Sequence, residues 1–339
     1  MGVDISDILI KHDTEINVHK GMVMAVDAYN ILYQFLSSIR QPDGTPLMDS
    51  SGNVTSHLSG LFYRSVSLMD AGLRLVYVLD GKPSDLKGNT IEERKMVRER
   101  NLMELKKAEE AGDRERVRSL SGRINMITRP MIEESKQLLE AMGIPVVQAR
   151  SEGEAQASYM CAMGAVDGVI SQDYDCLLFG ARRVYRNMTF SGRRKVPGRN
   201  MYVTVRPEYM DLEENLNSLK ISRKQLIWIG ILVGTDFNRG VNRVGARTAY
   251  KLLKNGRDIT EILRDKGETI DRLEEIEDLF MNPPHEEWEN VNPDLPSADS
   301  IREILCGRHE FSRERVDPYI ETLKKASLRS SQSNLDRFF

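Results

Sequence analysis

Ser151-Glu-Gly-Glu-Ala155 and Ser171-Gln-Asp-Tyr-Asp-Cys176 bracket the stretch whose reading decides the fold. Glu152 and Glu154 lie two apart, as do Asp173 and Asp175. Between them the spacing gives a helix-like segment, 155–163, and an apolar run, 166–170, that reads as a strand. Four carboxylates so placed sit on two sides of one cleft. Packed together they repel, and each tends to keep its proton unless a cation intervenes. Hard oxygen ligands of this kind suit Mg²⁺ or Mn²⁺ rather than zinc. A second reading stays open on these residues alone. Ser151 to Glu154 is also S-x-x-E, a capping box with no function beyond starting a helix, and Asp173 and Asp175 can simply begin a loop.

Working outward, three more apolar runs read as buried strands: 22–26, 73–79 and 144–147. They alternate with helical patterns at 31–39, 56–71 and 131–142. The second of these carries Leu58, Leu61, Phe62, Ser65 and Leu68 on one face, and the third stops at Gly143. Strands separated by helices imply right-handed crossovers and an α/β fold with a mainly parallel central sheet flanked by helices. Ligands bind such sheets at the carboxyl ends of the strands. Asp27, Asp80, the Glu152/Glu154 pair and the Asp173/Asp175 pair each follow a separate strand at that end. Solubility alone would scatter acids over both rims. Asp236, after an apolar helix at 226–232, is a seventh candidate. Seven carboxylates exceed what one Mg²⁺ needs and fit a two-ion site of the kind that hydrolyses phosphodiesters. The chain has no GxxxxGK[ST] and no GxGxxG, which excludes the usual nucleotide-driven chemistries. None of the five histidines falls in these motifs, so neither a histidine base nor a serine nucleophile is expected.

The remainder of the chain is consistent with work on a polyanion. At 339 residues it is long enough for one large or two modest domains. Cys161, Cys176 and Cys306 form neither a disulfide framework nor a zinc signature, and no apolar run reaches the length of a membrane span. With no signal pattern at the N-terminus, a soluble intracellular protein is expected. Net charge is −3, but it is polarised. No acid occurs between Cys176 and Pro207, where Arg182, Arg183, Arg186, Arg193, Arg194, Lys195, Arg199 and Arg206 fall, whereas acids dominate 267–299. A charge-polarised molecule binds a polyanion on one side while staying near neutral overall. Further strands are expected at 183–185 and 201–205, the latter after a basic loop.

Residues 82–129 are highly charged, rich in helix formers and poor in large apolar side chains, and read as a helical excursion from the sheet. Pro83 and Gly88 break its start, and Ala111-Gly-Asp113 its middle. Gly240-Val-Asn-Arg-Val-Gly245, between two helices, resembles a hairpin whose backbone N–H groups meet phosphate without reading sequence; an ordinary turn is the alternative. The ending, Ser327–Phe339, reads as a polar tail. Its Gln332-Ser-Asn-Leu-Asp-Arg-Phe-Phe339 fits a short helical plug presenting Leu335, Phe338 and Phe339 to a partner's pocket, or else a docked terminus covering the protein's own core.

Taken together, these residues resemble the flap endonuclease family of structure-specific 5′ nucleases, with an ending like its archaeal members. The resemblance covers nearly the whole chain. It rests on Met1-Gly-Val3, Val26-Asp-Ala28, Ile31–Leu36, Thr55–Leu58, Val78–Pro83, Ser151–Ala155, Gln172–Phe179, Gly234-Thr-Asp236, Cys306-Gly307 and Phe311-Ser312. It implies a PIN-like 5′-nuclease fold as one domain over 1–326. Within it fall an N-terminal nuclease region (about 1–98), an arch (about 82–129), an internal nuclease region (about 117–255) and a helix–two-turn–helix (about 226–254) that grips duplex. It also implies that Asp27, Asp80, Glu152, Glu154, Asp173, Asp175 and Asp236 hold two Mg²⁺ ions, for which Mn²⁺ substitutes. Lys87 and Arg94 then touch the scissile phosphate, and Tyr33 stacks on a base beside the cut. Gly234, Asp236, Arg243 and Gly245 lie on the DNA-gripping hairpin, which in the family often binds K⁺. Gln332, Leu335, Phe338 and Phe339 form a motif for the PCNA sliding clamp, and 311–315 part of a pocket for a one-nucleotide 3′ flap. Two positions depart from the family: Arg243 replaces a glycine of the hairpin, and His309 stands where a lysine is common. The expectation is a monomeric, cytoplasmic, nucleoid-associated endonuclease with 5′-3′ exonuclease activity, cutting 5′ flaps in replication (Okazaki fragment maturation) and repair. A non-catalytic clamp-tethered DNA adapter needs only the basic stretch and the tail, and a single-metal RNase is a third reading.

Overall fold

The computed structural model describes the chain apart from residues 1, 42–43, 114–115, 118–119, 121–125, 190–191, 196–201, 255, 289–292 and 336–339. The strands are β1 (His12–Asp13), β2 (Val23–Asp27), β3 (Arg74–Leu79), β4 (Val146–Gln148), β5 (Gly168–Ile170), β6 (Arg183–Arg186), β7 (Gly192–Lys195), β8 (Tyr202–Val205) and β9 (Glu208–Asp211). Seven form one sheet in the order β1-β9-β6-β5-β2-β3-β4. The pairs β2/β3, β2/β5, β3/β4 and β5/β6 are parallel, and β6/β9 and β1/β9 are antiparallel. The sheet is therefore parallel through its centre and antiparallel at one edge. β1 is two residues long and β9 four, too short to leave a hydrophobic period, and neither is expected from the sequence.

Register fixes the rim. Asp27 is level with Val78, two residues before Asp80, and Val26 is level with Ile170, so Ser171 stands beside Asp27. Leu79 is level with Gln148, after which the chain turns to Glu152. The alternation of the strands sorts side chains into two cores. Ala25, Val76 and Val78 join one face, and Met24, Val26, Leu75, Tyr77 and Leu79 the other. Every residue of β2 is buried, as expected of a central parallel strand covered on both faces.

The helices that matter are α1 (Ala28–Ser38), α2 (Ser56–Asp70), α3 (Gly88–Glu110), α4 (Arg129–Ala141), α5 (Gly153–Ala162), α6 (Arg223–Val233), α7 (Ala246–Leu253) and α8 (Arg313–Leu335). α2 buries Leu58, Leu61, Phe62, Ser65 and Leu68, the face expected of it, and Ser65 Oγ meets the buried Tyr77 hydroxyl at 2.8 Å. α3 spans the charged excursion from Gly88 to the break at Ala111 and leaves Met96, Val97, Leu102 and Met103 exposed.

Three local readings change. Within the strand expected at 201–205, Tyr202–Val205 pairs not with the central sheet but with β7 in a separate two-stranded sheet, β7 lying in what reads as a basic loop. Two arginines of the basic run pair with acids across β6 and β9: Arg183 meets Asp211 at 3.2 Å and Arg186 meets Glu208 at 2.8 Å. α8 continues through Ser327 to Leu335, so the tail begins later than its polar composition suggests. Val316, Ile320, Leu323 and Ser327 bury one helical stripe, and that packing overrides the polar outer face.

Candidate active site

The four strand ends bring their acids to one rim. Asp27 caps α1 and accepts from Asn30 N at 3.1 Å and from Ser171 Oγ at 3.0 Å. Asn30 reaches across the switch between β2 and β5: its Nδ2 donates to Asp173 at 2.9 Å, and its Oδ1 accepts from Gln172 N at 3.0 Å. Asp173 also accepts from Gly2 N at 3.3 Å, and Asp175 from Val3 N at 2.9 Å. Asp80 accepts from Gly153 N at 2.7 Å, which ties β3 to the start of α5. Only glycine fits at 153, where a Cβ would stand 2.7 Å from Asp80 Oδ1 and 3.3 Å from Val78 O. The capping-box reading of Ser151–Glu154 is not realised. α5 has Glu152 as its N-cap with no side-chain cap bond, and Ser151 Oγ is buried without a partner.

Burial and the charge of neighbouring acids act together on Asp27, Asp80, Glu154 and Asp175. Burial first, then the charge of Asp80, pushes Asp27 up to about 7. Asp175 rises to about 7, from burial and then, against the Val3 N–H, from Asp173 and Asp236. Burial lifts Asp80 to about 6, with Glu152 and Asp236 adding to it and the Gly153 N–H opposing. Glu154 is raised well above the carboxylate range by burial and then by Asp175. Carboxyls that shift one another this way share a small low-dielectric volume.

Lys87 enters that volume from the short turn before α3. Its Nζ pairs with Glu152 and lies 3.6 Å from Asp236 Oδ2. Burial works against its charge, but Glu154, Glu152 and Asp236 outweigh that and hold the ammonium protonated. Among the described residues no three acidic, histidine or cysteine side chains form a ready-made ligand group. The acids nevertheless fit hard divalent cations. The donors are all carboxylate oxygens, and Asp175 Oδ2 is buried with no hydrogen-bond partner, which an ion would satisfy.

The other sequence candidates divide. Tyr33 lies on α1, half exposed. The turn between α6 and α7 holds Gly234 at φ +108° and Arg243 at φ +59°. Arg243 thus occupies a left-handed position that glycine takes without strain, which explains why a glycine belongs there. A Cβ at Gly240 would stand 2.0 Å from Val233 O, so the turn closes on itself there. Arg94 lies on α3 with its side chain outside the described residues, as do the side chains of Gln332 and Leu335 on α8 and the whole of Phe338 and Phe339. His309 is buried, with Nδ1 3.0 Å from Asp49 and Nε2 3.1 Å from Glu134, and so faces acids rather than an open pocket. Sequence reasoning missed Asn30 and Ser171. The available signal was position: each lies within three residues of an acid at a strand end.

The architecture is that of the XPG class. The XPG N-terminal domain matches residues 1–101, and the XPG I-region residues 143–236. Over its full length the chain is 53% identical to flap endonuclease 1 of Picrophilus torridus, covering 100% of each. It is 46% identical to that of Pyrococcus furiosus, covering 100% of this chain and 99% of the relative. The solved flap endonuclease-1 from Methanococcus jannaschii superposes with a TM-score of 0.76 at 36% identity, covering 97% of this chain and 99% of that one. The catalytic core of Rad2 in complex with DNA substrate shares the fold at 24% identity and a TM-score of 0.70, covering 95% and 100%. This chain belongs to the flap endonuclease family.

Proposed function

We propose that the chain is a Mg²⁺-dependent, structure-specific 5′ flap endonuclease with 5′-3′ exonuclease activity, removing flaps during replication and repair. One observation carries this reading above the others: acids from four strand ends are buried together with their protonation raised. A clamp-tethered adapter gains nothing from that, because uncompensated acids facing DNA weaken its binding. Asp27, Asp80, Glu152, Glu154, Asp173, Asp175 and Asp236 hold two Mg²⁺ or Mn²⁺ ions. When bound, the ions supply an activated water and neutralise charge on the leaving oxygen.

The remaining residues of the site act on the substrate. Lys87, with Arg94 beside it on α3, places positive charge against the scissile phosphate. Tyr33 offers a ring face to the base next to the cut. The turn between α6 and α7, through Gly234, Arg243 and Gly245, holds the duplex by its phosphates, with K⁺ bound there, and α3 frames the 5′ strand. Gln332, Leu335, Phe338 and Phe339 attach the protein to the PCNA clamp. The protein acts as a monomer in the cytoplasm, at the nucleoid.

Asp173→Asn tests the assignment. Cleavage of a labelled 5′ flap in Mg²⁺ should vanish while flap binding survives. Full activity in that variant removes the two-ion claim.

A further inference from the structure

Residues 283–288 cross the outer side of α5 and grip it on both sides of the Glu152/Glu154 turn. Gln156 is fully buried. Its side-chain amide pairs with the main chain of Glu286 at two points: Nε2 donates to Glu286 O at 2.8 Å, and Oε1 accepts from Glu286 N at 2.7 Å. One turn further along α5, Tyr159 stacks on His285 with ring centroids 3.6 Å apart and planes 17° apart. The Glu286 carboxylate, in turn, takes Arg150 through Nε at 2.5 Å and Nη2 at 3.3 Å. Residue 286 is thus bonded to positions 150 and 156, which straddle the two glutamates. Pro283 and Pro284 limit the backbone freedom of the segment.

These contacts differ in weight. The Arg150–Glu286 pair is about half exposed on both sides and therefore largely screened. The Gln156 pair is buried, and an unmatched amide there has no water to turn to. We propose that Gln156, clamped to the main chain of Glu286, is a positioning residue that fixes where α5 delivers Glu152 and Glu154 to the carboxylate cluster. The segment 283–288, a connection in an acidic stretch that buries Pro283 and packs Trp288 on the core, acts as a strap on that helix. The inference rests on the ion-holding reading of the cluster. It extends that reading, because the Gln156 side chain bonds to the Glu286 main chain and to no carboxylate of the rim, and acts through helix placement. Groups that orient ligands without touching the ion set affinity by about 10- to 100-fold.

The test uses the full-length, DNA-free protein. Mn²⁺ uptake is followed by the electron paramagnetic resonance of the free ion, and amide hydrogen exchange over residues 151–155 is measured in parallel. Gln156→Met should weaken Mn²⁺ binding at least about tenfold and speed exchange in that turn, whereas Arg150→Ala should change affinity less than twofold. Gln156→Glu retains the acceptor and loses the donor; it should fall between, and serves if the methionine variant does not fold. The proposal is overturned if the position 156 variants bind Mn²⁺ within twofold of the parent with exchange over 151–155 unchanged, even where the melting temperature drops. A parent protein that takes up no Mn²⁺ refutes the ion-holding reading instead, and the exchange rates then decide the strap on their own.

Discussion

Replacing Asp175 with asparagine should stabilise the metal-free protein, against the usual cost of a core substitution. Asp175 is fully buried, its Oδ1 accepts from Val3 N, and its Oδ2 has no partner. Its carboxyl sits near 7 in the folded protein against an ordinary 3.8, so the folded state binds that proton more tightly than the unfolded chain. The contribution of this group to stability is therefore fully present below about pH 4. It is lost as pH rises towards 7 and stays lost above. Three pKa units correspond to about 4 kcal/mol at pH 8. That is a ceiling, because Asp173, Asp236 and Glu154 share the repulsion and a proton can move among them. About half of it, roughly 2 kcal/mol, should be recovered by Asp175→Asn. The amide keeps the acceptor for Val3 and turns a donor toward the neighbouring carboxylates. With an unfolding entropy of about 2.1 cal/mol/K per residue, this amounts to roughly 3 °C for a chain of this length. Calorimetric melts in EDTA at pH 5.5 and pH 8 measure it. The parent should melt lower at pH 8 than at pH 5.5, Mg²⁺ should raise the pH 8 value more than the pH 5.5 value, and the variant should melt above the parent in EDTA at pH 8. A parent no less stable at pH 8, with a variant that melts at or below it, would refute mutual repulsion at the rim.

Lys87→Met removes the ammonium from between Glu152 and Asp236. Breaking a buried pair from one side should cost about 3 kcal/mol or more in EDTA, with much of the loss restored by Mn²⁺, while flap cleavage falls at least about 100-fold; thermal melts and single-turnover rates read both. Arg243→Gly relieves the left-handed backbone, worth roughly 1 kcal/mol of stability, and should weaken duplex binding evenly across sequences while flattening its salt dependence by about one ion. Unchanged affinity would mean that Arg243 faces away from DNA. Deleting 332–339 should leave basal flap cleavage intact and abolish stimulation by the clamp, and loss of both would show that the segment supports the fold.

The acid rim was legible because its signal is doubly redundant. Each apolar run marks a buried strand, and each run ends in an acid, so even an error of two residues at a boundary leaves the carboxylates on the same edge. The antiparallel edge was not legible, because β1 and β9 each pair through a few main-chain groups and carry no stripe of their own. β7 was missed for a different reason: an arginine-rich run reads as loop, yet Gly192–Lys195 pairs in register with Tyr202–Val205, the strand expected after it. The S-x-x-E at 151 shows the opposite failure. A local motif with a sound mechanism was present, but the helix takes Glu152 as its N-cap, one residue later, and its first N–H, that of Gly153, goes to Asp80.

Charge arithmetic explains why α3 begins where it does. Among the described side chains, seven carboxylates line the rim and Lys87 brings an ammonium in among them, pairing with Glu152 and Asp236, so acids remain in excess there. The buried acids answer it by holding protons, which is why Asp27, Asp80 and Asp175 all rise to about 6 or 7. The 3-10 turn Asp85–Lys87 answers it from outside, by driving Lys87 inward just before Gly88 starts α3. The root of the long charged helix is thus held by Lys87 in the carboxylate cluster together with Leu86 packed on the core beside it. Anything that supplies positive charge to the rim competes with Lys87 for the same oxygens. Hence protonation, ion binding and the anchoring of α3 are linked by a common balance, and a shift in one must appear in the other two.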